Sequence, residues 1–238
     1  MTETFASAAR VHTALTASYE KRLLLWLARH TPAPINSDHL TALAFAAQVC
    51  AGAAYAMARH NPRALWLVNL LIALNWLGDS LDGTLARVRD QQRPRYGFYV
   101  DHIVDILGAL ALIAGLGFSG FVHWPIAIGM LLCFYVLSIE SFLATYTLGR
   151  FHISHGPFGP TEIRMLLIVG NLLTLLTGLH DLSPLALPMA SLAPVSVFDV
   201  GLVLIGSLAP VVLGMLFLRD LRAISLADPS PVRRRQTP

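Results

Sequence analysis

The chain has 238 residues, 55% of them hydrophobic and 13% charged, with a mean hydropathy of +0.61. That composition excludes an ordinary soluble domain and is that of a polytopic membrane protein. The formal net charge of +3 rests almost wholly on Arg, and the basic residues sit at the ends of apolar runs, so the balance says little about nucleic acid.

Residues 1–34 come first. They do not read as a signal peptide, because Glu3 precedes a short apolar core at 23–27. Val11, Leu15, Tyr19, Leu23 and Trp26 or Leu27 form a helical stripe, with Arg10, Glu20, Lys21 and Arg22 largely away from it. This predicts an amphipathic helix lying in the membrane interface, with a soluble helix packed on a partner as the other reading. Pro32 and Pro34 end it.

Length and apolarity then predict six transmembrane helices, at 38–59, 63–88, 97–120, 124–149, 161–180 and 195–219. The fold class is all-α: a six-span domain over 35–222 behind the interfacial helix. The Ser37-Asp38 pair predicts the cap of the first span. Residues 181–194, with three prolines, read as a loop, and 223–238 as a disordered cytoplasmic tail. Cys50 and Cys133 fall in separate apolar runs and read as free thiols.

Orientation follows from Lys and Arg. With the N-terminus inside, only Arg59 and Arg63 fall on outer turns, and every other Lys and Arg falls inside. Both termini and the connection between the second and third spans are therefore expected in the cytoplasm, most simply of a bacterial cell.

That connection lies within the most charged stretch of the chain. Asp79, Asp82, Gly83 and Ala86 share one helical face, bordered by Arg87, and Gly97, Asp101 and Asp105 share another. The short link predicts that the two helices are antiparallel neighbours whose acidic faces meet near the loop. Clustered carboxylates without a matching His or Cys set suit a hard cation such as Mg²⁺, Mn²⁺ or Ca²⁺. The bland alternative is a set of acid–Arg salt bridges at the membrane surface.

The pattern Asp79-x-x-Asp82-Gly83-x-x-Ala86-Arg87, then Gly97-x-x-x-Asp101-x-x-x-Asp105, resembles the signature of the CDP-alcohol phosphotransferases, integral membrane enzymes of phospholipid synthesis. The link from Arg87 to Gly97 is one residue longer than that family's pattern leads one to expect. The resemblance implies transfer of a substituted phosphate from CDP-diacylglycerol or a CDP-alcohol to an acceptor hydroxyl, with release of CMP. It implies that Asp79, Asp82, Asp101 and Asp105 hold Mg²⁺ or Mn²⁺, as two ions, with Asp105 also the general base. Asp82, Gly83, Ala86, Arg87 and Gly97 would receive the CDP group. A homodimer in the bilayer is implied as well, for which Gly108, Gly115, Gly117 and Gly120 offer small-residue support.

Further polar residues fall on the same side. Arg150, His152, His155, Glu162 and Arg164 are candidates for binding the acceptor, and Glu140 for bordering the same cavity. Local salt bridging is the competing account. His102 reads as a surface or supporting residue. A divalent-cation transporter using the acids as an ion path is the alternative function, disfavoured because the acids cluster at one membrane face.

Overall fold

The computed structural model describes residues 9–11, 17–148, 150–152, 160–177 and 196–228. In order, its elements are β1 (Ala9–Val11), α1 (Ala17–His30), α2 (Ser37–Ala58), α3 (Ala64–Val88), α4 (Pro94–Phe118), α5 (Trp124–Leu148), β2 (Arg150–His152), α6 (Pro160–Thr177) and α7 (Val197–Ala227). Helices satisfy their own backbone polar groups, the condition for crossing hydrocarbon. Five of them, α2, α3, α4, α5 and α7, are long and apolar enough to do so, and α6 contributes a shorter apolar stretch, Ile163–Thr177. The protein is thus an all-helical membrane bundle with a count close to the six spans expected.

Local chemistry shifts several boundaries. The cap of α2 is Asn36, one residue before the expected pair. Its side chain accepts the His39 backbone N–H, and the His39 ring reaches back to the Asn36 N–H. Pro94 stands at the start of α4, where a missing N–H is harmless, so that helix begins before the expected 97. A second capping box, Ser196 with Asp199, opens α7. That helix runs on to Ala227, past the expected end at 219 and into the segment expected to be a tail. The N-terminal helix starts only at Ala17. Val11 is extended instead: β1 pairs in parallel with β2, Ala9 opposite Arg150 and Val11 opposite His152. Leu15 and residues 181–194 and 229–238 lie outside the described residues.

The packing centres on α2. It lies against both α3 and α4, whereas α3 and α4 make little direct approach to each other. The expectation that a short link makes them side-by-side neighbours is therefore corrected. The physical reason is on α2 and α4: a Cβ on Gly115 would run into the Gly52 backbone, and one on Gly52 into the Ala111 carbonyl. Two bare backbones approach more closely there than side chains permit, and close packing drives helix association in lipid. Gly108 faces the Gln48 side chain of α2, and Gly117 faces the Trp124 ring. These glycines serve contacts within one chain and carry no argument for a dimer.

Around this seam, Tyr55, Leu65, Val68, Ile72, Leu116 and Phe198 form part of the main buried cluster. A second cluster, Leu24, Ala28, Leu40, Leu81 and Leu85, fastens α1 to the start of α2 and the end of α3. Large apolar side chains such as Leu132, Val169, Leu204 and Met215 point outward, as a lipid-facing surface requires.

Gly115→Ala should destabilise the folded protein by about 1–3 kcal/mol, the usual cost of overpacking. Gly129→Ala, whose Cβ would meet nothing within 4 Å, should be neutral or slightly stabilising. Thermal unfolding of both variants in detergent compares them; equal melting temperatures would contradict the seam.

Candidate active site

The C-terminal end of α3 and the N-terminal end of α4 carry the acids. Asp79 is partly buried and accepts a hydrogen bond from Arg164 of α6 at 2.7 Å. Asp82 is 8% exposed. Its Oδ2 accepts the Thr41 hydroxyl of α2 at 2.5 Å, and its Oδ1 accepts the Gly83 backbone N–H. The Ser37 hydroxyl donates to the Asp82 carbonyl oxygen at 3.1 Å. Asp101 and Asp105 project from α4, both half-buried. Asp105 lies within electrostatic reach of Asp79, Asp101, Asp82 and Arg164, and Asp82 within reach of Asp101 and Asp79. The four motif acids therefore converge, as the helical spacing predicts, but across a site to which α2 and α6 also contribute.

The flanking motif residues sit on the same two helix ends. The Arg87 guanidinium donates to the Thr84 hydroxyl at 3.0 Å. A Cβ on Gly97 would meet nothing within 4 Å, so that position faces open space. Beside it, Arg93, Pro94, Arg95 and Tyr96 line an open groove. Arg93 stacks over Tyr96 at 4.0 Å and pairs with Asp38.

The sequence model of the CDP-alcohol phosphatidyltransferase family matches residues 35–198. The chain belongs to this family. It is a transferase of substituted phosphate groups, and the match begins just before α2 and ends as α7 opens. No curated protein matches the chain.

For a CDP-alcohol phosphotransferase, generally divalent-metal dependent, the donor set is right in kind. Carboxylate oxygens are the ligands that hard divalent cations select. Among the described residues, no three His, Cys, Asp or Glu side chains are gathered closely enough to hold an ion as they stand. In this arrangement one Asp79 oxygen accepts from Arg164 and one Asp82 oxygen accepts from Thr41.

The second-half candidates divide. Arg164 reaches the acids directly. Arg150 and His152 have only their backbone described, in β2, and the Glu162 side chain and all of His155 lie outside the described residues. Glu140 faces Asp220 and Arg219 of α7, where Arg219 grips Asp220 through two nitrogens at 2.7 and 3.0 Å. It belongs to a separate polar cluster between α5 and α7. His102 donates through Nδ1 to the Phe98 carbonyl at 2.5 Å and packs against the Phe98 and Phe142 rings.

Sequence reasoning missed several supporting residues. Glu20, expected to face away from the apolar stripe's partner, accepts hydrogen bonds from Trp76 at 3.1 Å and Ser80 at 3.3 Å, on the turns of α3 flanking Asp79. Arg89 donates to three carbonyls of the Pro-rich α1–α2 link: Ile35 at 2.5 Å, Thr31 at 2.7 Å and Pro32 at 3.1 Å. A stretch with two prolines offers few backbone donors and many bare acceptors, a signal that could have pointed to an Arg partner.

Arg89→Lys keeps the charge but cannot span three carbonyls with one ammonium. Hydrogen bonds to charged groups contribute about 1.5–3 kcal/mol each, so losing even one should speed amide exchange across α1 by about tenfold or more. Unchanged protection of α1 by hydrogen-exchange mass spectrometry would rule out the clamp.

Proposed function

We propose that this protein is a divalent-metal-dependent phosphotransferase of phospholipid synthesis. It moves a substituted phosphate from a CDP-linked donor, CDP-diacylglycerol or a CDP-alcohol, onto an acceptor hydroxyl and releases CMP. The observation that carries the reading is the convergence of four carboxylates from α3 and α4, with Arg164 among them, in a chain of this family.

Asp79, Asp82 and Asp101, with Asp105 beside them, would hold one or two Mg²⁺ or Mn²⁺ ions. Bound there, such an ion supplies positive charge to the donor pyrophosphate and to the departing CMP. Arg87 pairs with a donor phosphate, and Gly83, Ala86 and Gly97 leave the space the nucleotide needs. Asp105 accepts the proton of the acceptor hydroxyl as its oxygen attacks the phosphorus that stays with the alcohol or lipid. One P–O bond forms to the acceptor, and the P–O bond to CMP breaks, the electron pair leaving with CMP. Arg164 meets an anionic acceptor or its phosphate, with Arg150, His152, His155 and Glu162 as further candidates for binding it. α1 lies in the inner interface as an amphipathic cover over α3. The six-span domain sits in a cytoplasmic membrane with both termini and the site inside. The enzyme works as a homodimer in which each subunit keeps its own site, because both acidic helices come from one chain.

Asp101→Asn is nearly isosteric but neutral and a poor ligand for a hard cation. It should nearly abolish CMP release from purified protein while the detergent-solubilised chain keeps its melting behaviour. Substantial turnover in saturating Mg²⁺ would remove Asp101 from the centre.

The charge asymmetry sets the orientation independently of the chemistry. A reporter fused after Arg222 should be active only in the cytoplasm. Activity confined to the outer side would invert the map.

A further inference from the structure

The motif acids sit on α3 and α4, yet the side chain that grips Asp82 comes from α2. Thr41 Oγ1 lies 2.5 Å from Asp82 Oδ2 and 3.1 Å from the Ser37 carbonyl oxygen. A hydroxyl has one proton to give, and the shorter contact marks Asp82 as its acceptor. The other carboxylate oxygen accepts the Gly83 N–H, and the Asp82 carbonyl accepts the Ser37 hydroxyl at 3.1 Å. All three oxygens of this nearly buried residue are therefore tied, two of them to side chains one turn apart at the start of α2. A carboxylate held in this way offers its remaining lone pairs in one direction. Groups that orient a ligand are worth about 10–100-fold in metal affinity or activity.

We propose that the first turn of α2, through Thr41 and Ser37, is a positioning element of the site. It holds Asp82 in the orientation that takes up a hard divalent cation and so sets the affinity for that ion. The inference rests on the reading of Asp82 as a ligand, and the test separates the two. Mn²⁺ binding to the full chain in detergent micelles is measured from the electron paramagnetic resonance signal of the free ion, so that no turnover is needed. Thr41→Val preserves shape and removes the donor. It should weaken Mn²⁺ binding about tenfold, while Thr41→Ser, which keeps the hydroxyl, should bind close to wild type. Ser37→Ala should shift binding in the same direction by less. CMP release should follow the same order: Thr41→Val raises the Mg²⁺ concentration for half-maximal rate more than it lowers the rate at saturating Mg²⁺.

Wild-type Mn²⁺ affinity in Thr41→Val, with binding lost in Asp82→Asn, overturns the positioning role and leaves the acidic centre standing. A Thr41→Ser variant as weak as Thr41→Val overturns the role of the hydroxyl. Wild-type binding by Asp82→Asn removes Asp82 from the centre and takes this proposal with it. Should Thr41→Val fail to accumulate as folded protein, Ser37→Ala decides, and unchanged Mn²⁺ binding there overturns the proposal.

Discussion

A carboxylate near hydrocarbon has no bulk water to solvate it, and this constraint shapes the acid-bearing end of the bundle. Each acid must be met by a donor, and each donor must be carried in by some helix. Arg164 brings α6 to Asp79, and Thr41 and Ser37 bring α2 to Asp82. Several neutral polar side chains elsewhere in the bundle are met in the same way. Asn75 of α3 donates to the Ala44 carbonyl and the Gln48 side chain of α2. Tyr55 donates to Asn171, which donates in turn to Asn69. The polar residues thus latch the helices together in a setting where apolar side chains gain little by choosing protein over lipid.

The site inherits its shape from these latches. With α2 seated against both α3 and α4, the two acidic faces are each fixed to a common partner and not pressed onto one another. The acids carried on those faces nonetheless lie within electrostatic reach of one another. The position at Gly97, on the first turn of α4, faces open space.

Much of this was legible beforehand. Hydropathy alone separates the spans, because hydrocarbon imposes one length scale on every helix that crosses it. The helical spacing of Asp79 with Asp82 and of Asp101 with Asp105 predicts shared faces, and they are shared. Periodicity reports which face of a helix is apolar but not which helix covers it. Periodicity therefore does not single out α2 as the common partner, nor mark Thr41 as a partner of Asp82. Glu20 misled for a related reason: a charge beside an apolar stripe is assumed to face water, yet here Trp76 and Ser80 meet it. The pairing of Ala9–Val11 with Arg150–His152 joins segments far apart in the chain, and no local pattern encodes such a partner.

The Gly52–Gly115 seam bears on how this scaffold can diversify. Where two helices meet through side chains, substitution can widen or narrow a contact by degrees. Where backbone meets backbone, there are no degrees: any side chain at either position collides with main-chain atoms. The α2–α4 contact is therefore mutationally brittle at these two positions. Change along this seam must come through neighbours such as Gln48, opposite Gly108, where a side chain fills the gap and can be exchanged.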